Sequence, residues 1–101
     1  MRILLKVEFP NESFNKAIKD GSIGEKINRA LESTKADAVY FTEMHGRRTA
    51  ILIVDIPDPS KVPAFGEPWF LMFNAEVEFH TVLSPEDIVK AGLEALGKKW
   101  A

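Results

Sequence analysis

The stretch Arg47-Arg48-Thr49-Ala50-Ile51-Leu52-Ile53-Val54-Asp55 constrains this chain more than any other. It reads as a strand from Arg48 to Ile56 with apolar residues on both faces. A strand of that kind sits centrally in a sheet and needs cover on both sides. His45-Gly46 just before it reads as a tight hairpin turn, because glycine takes positive φ without steric cost. The preceding strand is predicted over Asp37–Met44. Val39 and Phe41 lie on one of its faces, and Ala38, Tyr40, Thr42 and Met44 on the other. From Ala36 to Leu83 the pattern is strand, turn, strand, kinked helix, strand.

Around this centre the chain runs as follows. A first strand covers Arg2–Phe9 and ends at Pro10, which cannot donate to a ladder. A helical region follows from about Glu12 to Ser33, capped by Asn11. Asp20-Gly21 interrupts it, and Ser22 with Glu25 forms a capping box, so it is two helices or one bent at Gly21. After Pro57-Asp58-Pro59, Ser60 caps a helix starting at Lys61, and Pro68 is expected to kink or split it. A fourth strand covers Ala75–Leu83. Ser84, Pro85 and Asp87 then start a last helix. Its buried stripe is expected to be Ile88, Val89, Leu93 and Leu96, with Gly97 as its stop and Trp100 folded back as an anchor.

The order β-α-β-β-α-β-α predicts an α+β ferredoxin-like sandwich with an extra C-terminal helix, built as one domain over residues 1–101. Helices on one side leave the other sheet face uncovered. That face would carry Leu4, Lys6, Glu8, Tyr40, Thr42, Met44, Glu76, Glu78 and His80, with one apolar side of the central strand. Leaving its apolar part in water costs about 25 cal/mol per Å². Two copies stacking these faces would enclose a cavity, so a homodimeric α+β barrel is expected.

Composition narrows the function classes. With 13 basic and 15 acidic residues the formal charge is −2, which offers no basic face for nucleic acid. There is no cysteine, hence no disulfide framework, thiolate nucleophile or Cys-ligated zinc. The first residues are charged too soon for a signal peptide, and no apolar run approaches the ~20 residues of a membrane span. A cytoplasmic protein without membrane or nucleic-acid partners is expected.

Several segments carry a family resemblance: Tyr40-Phe41-Thr42-Glu43, Gly46-Arg47-Arg48, Pro63 through Glu67-Pro68-Trp69-Phe70, Phe73-Asn74-Ala75-Glu76-Val77-Glu78 and Ser84-Pro85-Glu86-Asp87. Over most of its length the chain resembles an uncharacterised family of small proteins, about 100 residues long, in the dimeric α+β barrel superfamily. The resemblance implies the fold and a homodimer, and no activity or cofactor. The wider superfamily spans cofactor-free monooxygenases, muconolactone-type isomerases, haem enzymes, stress-induced barrels and amino-acid-sensing regulators, so the fold by itself assigns no chemistry.

The candidate site residues come from strand periodicity. Glu76, Glu78 and His80 fall on one face of the fourth strand. His80 tuned by Glu78 is a candidate general base, with Tyr40 as a candidate acid. The same three side chains are also a metal-ligand type, but no HxH or HExxH spacing supports a metal. The competing interpretation is a charged ladder, with Lys6 and Glu8 opposite the acids. Candidate ligand contacts are Trp69 and Phe70 beside the Pro68 break, Thr42 on the uncovered face, and Arg48, whose guanidinium suits a carboxylate or phosphate. Arg47 and Arg48 can equally pair with Glu43, and His45 at the turn is expected to be exposed and inert. Two function classes follow: a binding module holding a small hydrophobic or aromatic ligand, and a cofactor-free monooxygenase or isomerase using His80.

Overall fold

The computed structural model describes residues 1–101. Four strands, β1 (Arg2–Glu8), β2 (Ala38–Met44), β3 (Arg47–Asp55) and β4 (Glu76–Thr81), form one sheet in the order β2-β3-β1-β4. Every neighbouring pair is antiparallel. Helices α1 (Asn11–Lys19), α2 (Ile23–Thr34) and α3 (Val62–Phe73) connect them. This α+β arrangement is compatible with a ferredoxin-like sandwich.

The hairpin between β2 and β3 forms at His45 and Gly46, with φ of 58° and 75°. Two consecutive positive φ values match the right-handed twist of the flanking strands. The register places Ile3, Leu5, Val7 and Phe9 beside Ala50, Leu52, Val54 and Ile56 on the helix side, and all eight are buried. Trp69 and Phe73 of α3 and Phe14 of α1 close over them. Phe9 meets Phe14 and Phe73 edge-on at 5.0 and 5.1 Å, and Trp69 stacks on Phe73 at 5.9 Å. Gly66 lets α3 approach the sheet, since a Cβ there would stand 3.0 Å from the Phe79 ring.

One local alternative is resolved and several local expectations are corrected. The helical region is two helices, separated at Gly21 with φ of 80°. Asn11 is the first residue of α1 rather than its cap; the cap position is Pro10, and the Asn11 amide donates to the Gly46 carbonyl at 3.4 Å. Ser22 precedes α2 but makes no side-chain cap. The Asp20 carboxylate instead accepts from the Ser22 amide at 2.9 Å, and hydrogen bonding from Ser22, its hydroxyl first and its amide second, holds the Asp20 carboxyl below its ordinary range. Likewise Asp58, not Ser60, accepts from the Ser60 amide at 3.0 Å and caps a short 3₁₀ turn, Pro59–Lys61, ahead of α3. In both places a carboxylate two residues upstream takes the serine's own amide in a charge-assisted bond, and the serine hydroxyl makes no cap to the following α-helix. Pro68 sits inside one continuous helix. The carbonyl it leaves without a helical partner belongs to Ala64, which lies at the exposed surface and can turn to water.

The largest correction lies beyond β4. There is no single buried helix but two of seven residues each, α4 (Pro85–Ala91) and α5 (Leu93–Lys99), joined at Gly92 with φ of 67°. Gly97 is within α5 rather than its stop, and neither helix buries a residue. Trp100 does not fold back and is 76% exposed. The molecule is consequently long, 58 × 28 × 20 Å, with a radius of gyration of 16.9 Å, against about 13 Å for a compact chain of this size. No helix is long and apolar enough to cross a membrane.

Candidate functional site

The uncovered sheet face forms three cross-strand rows. They are Ala38–Ile53–Leu4–His80, Tyr40–Ile51–Lys6–Glu78 and Thr42–Thr49–Glu8–Glu76. The rows divide the face into an apolar region around Leu4, Ile51, Ile53 and Tyr40, and a charged region on β1 and β4. The apolar residues are only partly covered, and Tyr40 is 69% exposed.

The charged region is a connected network. His80 Nε2 lies 2.8 Å from Glu78 Oε1, and Lys6 Nζ lies 3.4 Å from Glu78 Oε2. The His80 hydrogen bond first, and the Lys6 charge second, hold the Glu78 carboxyl below its ordinary range. Lys6 also faces Glu8 at 3.9 Å. Glu8 is the buried member of the set. Its carboxylate is further approached by Arg47 Nη1 at 3.6 Å and His45 Nδ1 at 3.4 Å. Two cationic side chains and an imidazole thus surround one buried carboxylate, the pairing that a buried charge requires. His45 is exposed, as expected, but paired. The sequence pattern aligned Lys6 and Glu8 with the β4 acids; it missed that the tight turn brings His45 and Arg47 back onto Glu8. Glu43, offered as an arginine partner, instead accepts from the Gly46 amide inside the turn.

The candidate residues therefore fall into separate groups. His80, Glu78, Tyr40 and Thr42 share the uncovered face. Within one chain, however, Tyr40 and Glu78 stand at opposite ends of a row, about 14 Å apart at ~4.8 Å per strand pair. Trp69 lies on the other side of the sheet, fully buried among Phe9 and Phe73, so it shares no space with His80. Phe70 is exposed on the outer surface of α3. Arg48 also points to the helix side: its Nη1 donates to Asn15 Oδ1 at 2.8 Å, and its guanidinium lies 4.7 Å from the Phe14 ring centroid. That geometry ties α1 to the sheet edge.

A groove that sequence reasoning did not single out opens at one end of the sheet. It has a volume of about 390 Å³ and is lined by Ile3, Ile56, Pro57, Val62 and Phe79 among others, with Asp58 as its charged member. Its signal in the sequence is the Ile56-Pro57-Asp58-Pro59 break, which turns the chain off the sheet before α3 returns. No group of three or more His, Asp or Glu side chains has the geometry to hold a metal ion. No protein-family model, curated protein or solved structure matches this chain.

Proposed function

We propose that the protein is a small-ligand-binding homodimer, in which two copies stack their uncovered sheet faces and enclose a chamber. The observation that carries this is the polarity split of the face: a partly exposed apolar region of Leu4, Ile51, Ile53 and Tyr40 beside the ordered Lys6–Glu78–His80 network. Apolar residues seal such a stack while charged ones line a wet interior. Electrostatics selects the orientation. A two-fold axis across the strands would stack β4 on β4 in reversed direction and bring the Glu76 and Glu78 carboxylates of both copies together, and like charges set opposite one another cost several kcal/mol. A two-fold axis along the strands instead lays β4 over β2 of the second copy. Tyr40 of the second copy then comes within one intersheet spacing, about 10 Å, of Glu78 and His80. Each chamber wall is incomplete without the other chain. The ligand class that fits is a small aromatic or aliphatic compound with one hydrogen-bonding group for the His80–Glu78 pair.

The fluorescent probe 1-anilinonaphthalene-8-sulfonate, titrated alongside sedimentation, tests this. Saturable binding should appear over the concentration range in which dimers form and be absent in Ile51→Glu. Binding of equal strength to single chains would overturn it.

A second reading is favoured by one contact. The 2.8 Å bond between His80 and Glu78 orients the imidazole as a general base for a cofactor-free monooxygenase or isomerase. Its test is His80→Ala: loss of turnover on an identified substrate supports it, and wild-type turnover removes it. Lys6 paired with Glu78 weighs for a binding or purely structural role over catalysis.

A further inference from the structure

The geometry points to a specific role for the C-terminal arm: α4 and α5 of each copy clasp the β2 edge of the other. This rests on the stacked-face dimer proposed above and assigns the surface that completes it. The arm exposes Ile88, Val89, Leu93, Leu96 and Trp100, and it buries none of its residues against its own body. Helices this short are marginal in water by themselves, so their apolar stripe needs a surface from elsewhere. The arm is nevertheless aimed. The Val82 amide donates to the Arg2 carbonyl at 3.2 Å, and Ser84 and Asp87 form a reciprocal capping box that fixes the start of α4.

Three considerations make the occupant a second copy of this chain. First, the sheet face alone is too small. Four strands at about 4.8 Å and seven residues at about 3.3 Å give a footprint of about 440 Å², against about 800 Å² per partner in a stable complex. Second, the axis chosen by the Glu76 and Glu78 charges puts the end of β4, where the arm departs, beside the start of β2 in the second copy. Third, β2 is an edge strand whose helix-side residue Phe41 is 53% exposed. Fifteen residues of helix reach at most about 22 Å, enough to pass the ~10 Å between stacked sheets and lie on Phe41.

The test uses full-length chains. In sedimentation, Leu93→Asp/Leu96→Asp should weaken self-association at least tenfold, with unchanged unfolding stability in chains diluted below their association range, because those side chains support nothing in their own body. Since the protein has no cysteine, mixed chains carrying Phe41→Cys and Leu93→Cys should be joined by a short bismaleimide, whereas Glu12→Cys with Leu93→Cys should not. Wild-type affinity in the double aspartate variant, or failure of the Phe41→Cys and Leu93→Cys mixture to join while dimers are present, overturns the clasp. If only Ile51→Glu disrupts dimers, the stacked faces stand and the clasp falls. If the wild type is a single chain, both fall.

Discussion

The two faces of β3 present the same kind of side chain to different surroundings. On one, Ala50, Leu52 and Val54 are fully buried under the helices. On the other, Ile51 and Ile53 are only half-buried between Tyr40-side and Lys6-side neighbours, with no layer above them, while Thr49 at the end of the row is buried by its own neighbours. The helix-covered face obtains its packing within the chain. The second face has aliphatic residues of equal size and a patterned set of charges, but nothing in the chain covers it. A strand apolar on both sides asks for cover on both, and the folded chain supplies it on one.

The sharpest contrast is between neighbours in sequence. Leu52→Ala removes a fully buried side chain and should cost about 2–5 kcal/mol, read from urea unfolding. Ile51→Ala, one residue away, should cost markedly less in a chain diluted below its association range, while weakening self-association. Equal losses for the two variants in dilute chains would erase the distinction between the faces. The packing of the covered face is tested next by Gly66→Ala. Its new methyl meets Phe79 at 3.0 Å, and overpacking of this kind costs about 1–3 kcal/mol. A neutral result would mean that α3 is seated more loosely than its contacts with β4 indicate.

Smaller effects belong to the arm and the charged network. Ser84→Ala breaks the capping box and should remove about 1 kcal/mol of local stability, seen as faster amide exchange in Asp87–Ala91 with the sheet unaffected. Glu78→Gln should have the smallest effect. The folded Glu78 carboxyl titrates below its ordinary range, so its contribution is present above the usual glutamate pKa of about 4.3 and is lost as pH falls through the lowered value. The wild type should thus exceed the variant slightly at neutral pH, and the two should converge in acid. A gap that widens in acid would reverse the sign.

Much of the body was legible in the sequence, for identifiable reasons. Period-two alternation in β1 and β4, and His45-Gly46 between β2 and β3, fix strand identity locally, and the order of elements then points to an α+β sandwich. The row of Glu76, Glu78 and His80 was equally legible, because one strand places them. Two kinds of feature were not. At Asn11 and Ser60 the cap position falls one or two residues upstream, and at Ser22 the position is right but its side chain makes no cap, and only three-dimensional geometry decides this. The ligand wall at Trp69 depended on a break at Pro68 that α3 does not have. Arg48 was read without knowing which face of β3 it takes. The stripe of Ile88, Val89, Leu93 and Leu96 was seen but assigned to the wrong surface. Amphipathic spacing demands cover and is silent on whether the same chain provides it.

Sedimentation velocity of the intact wild-type chain across micromolar concentrations bears most directly on all of this. The expected result is a reversible shift toward a two-chain species, abolished by Ile51→Glu with the fold intact. A single-chain boundary at every concentration would contradict it and leave the uncovered face an ordinary wet surface.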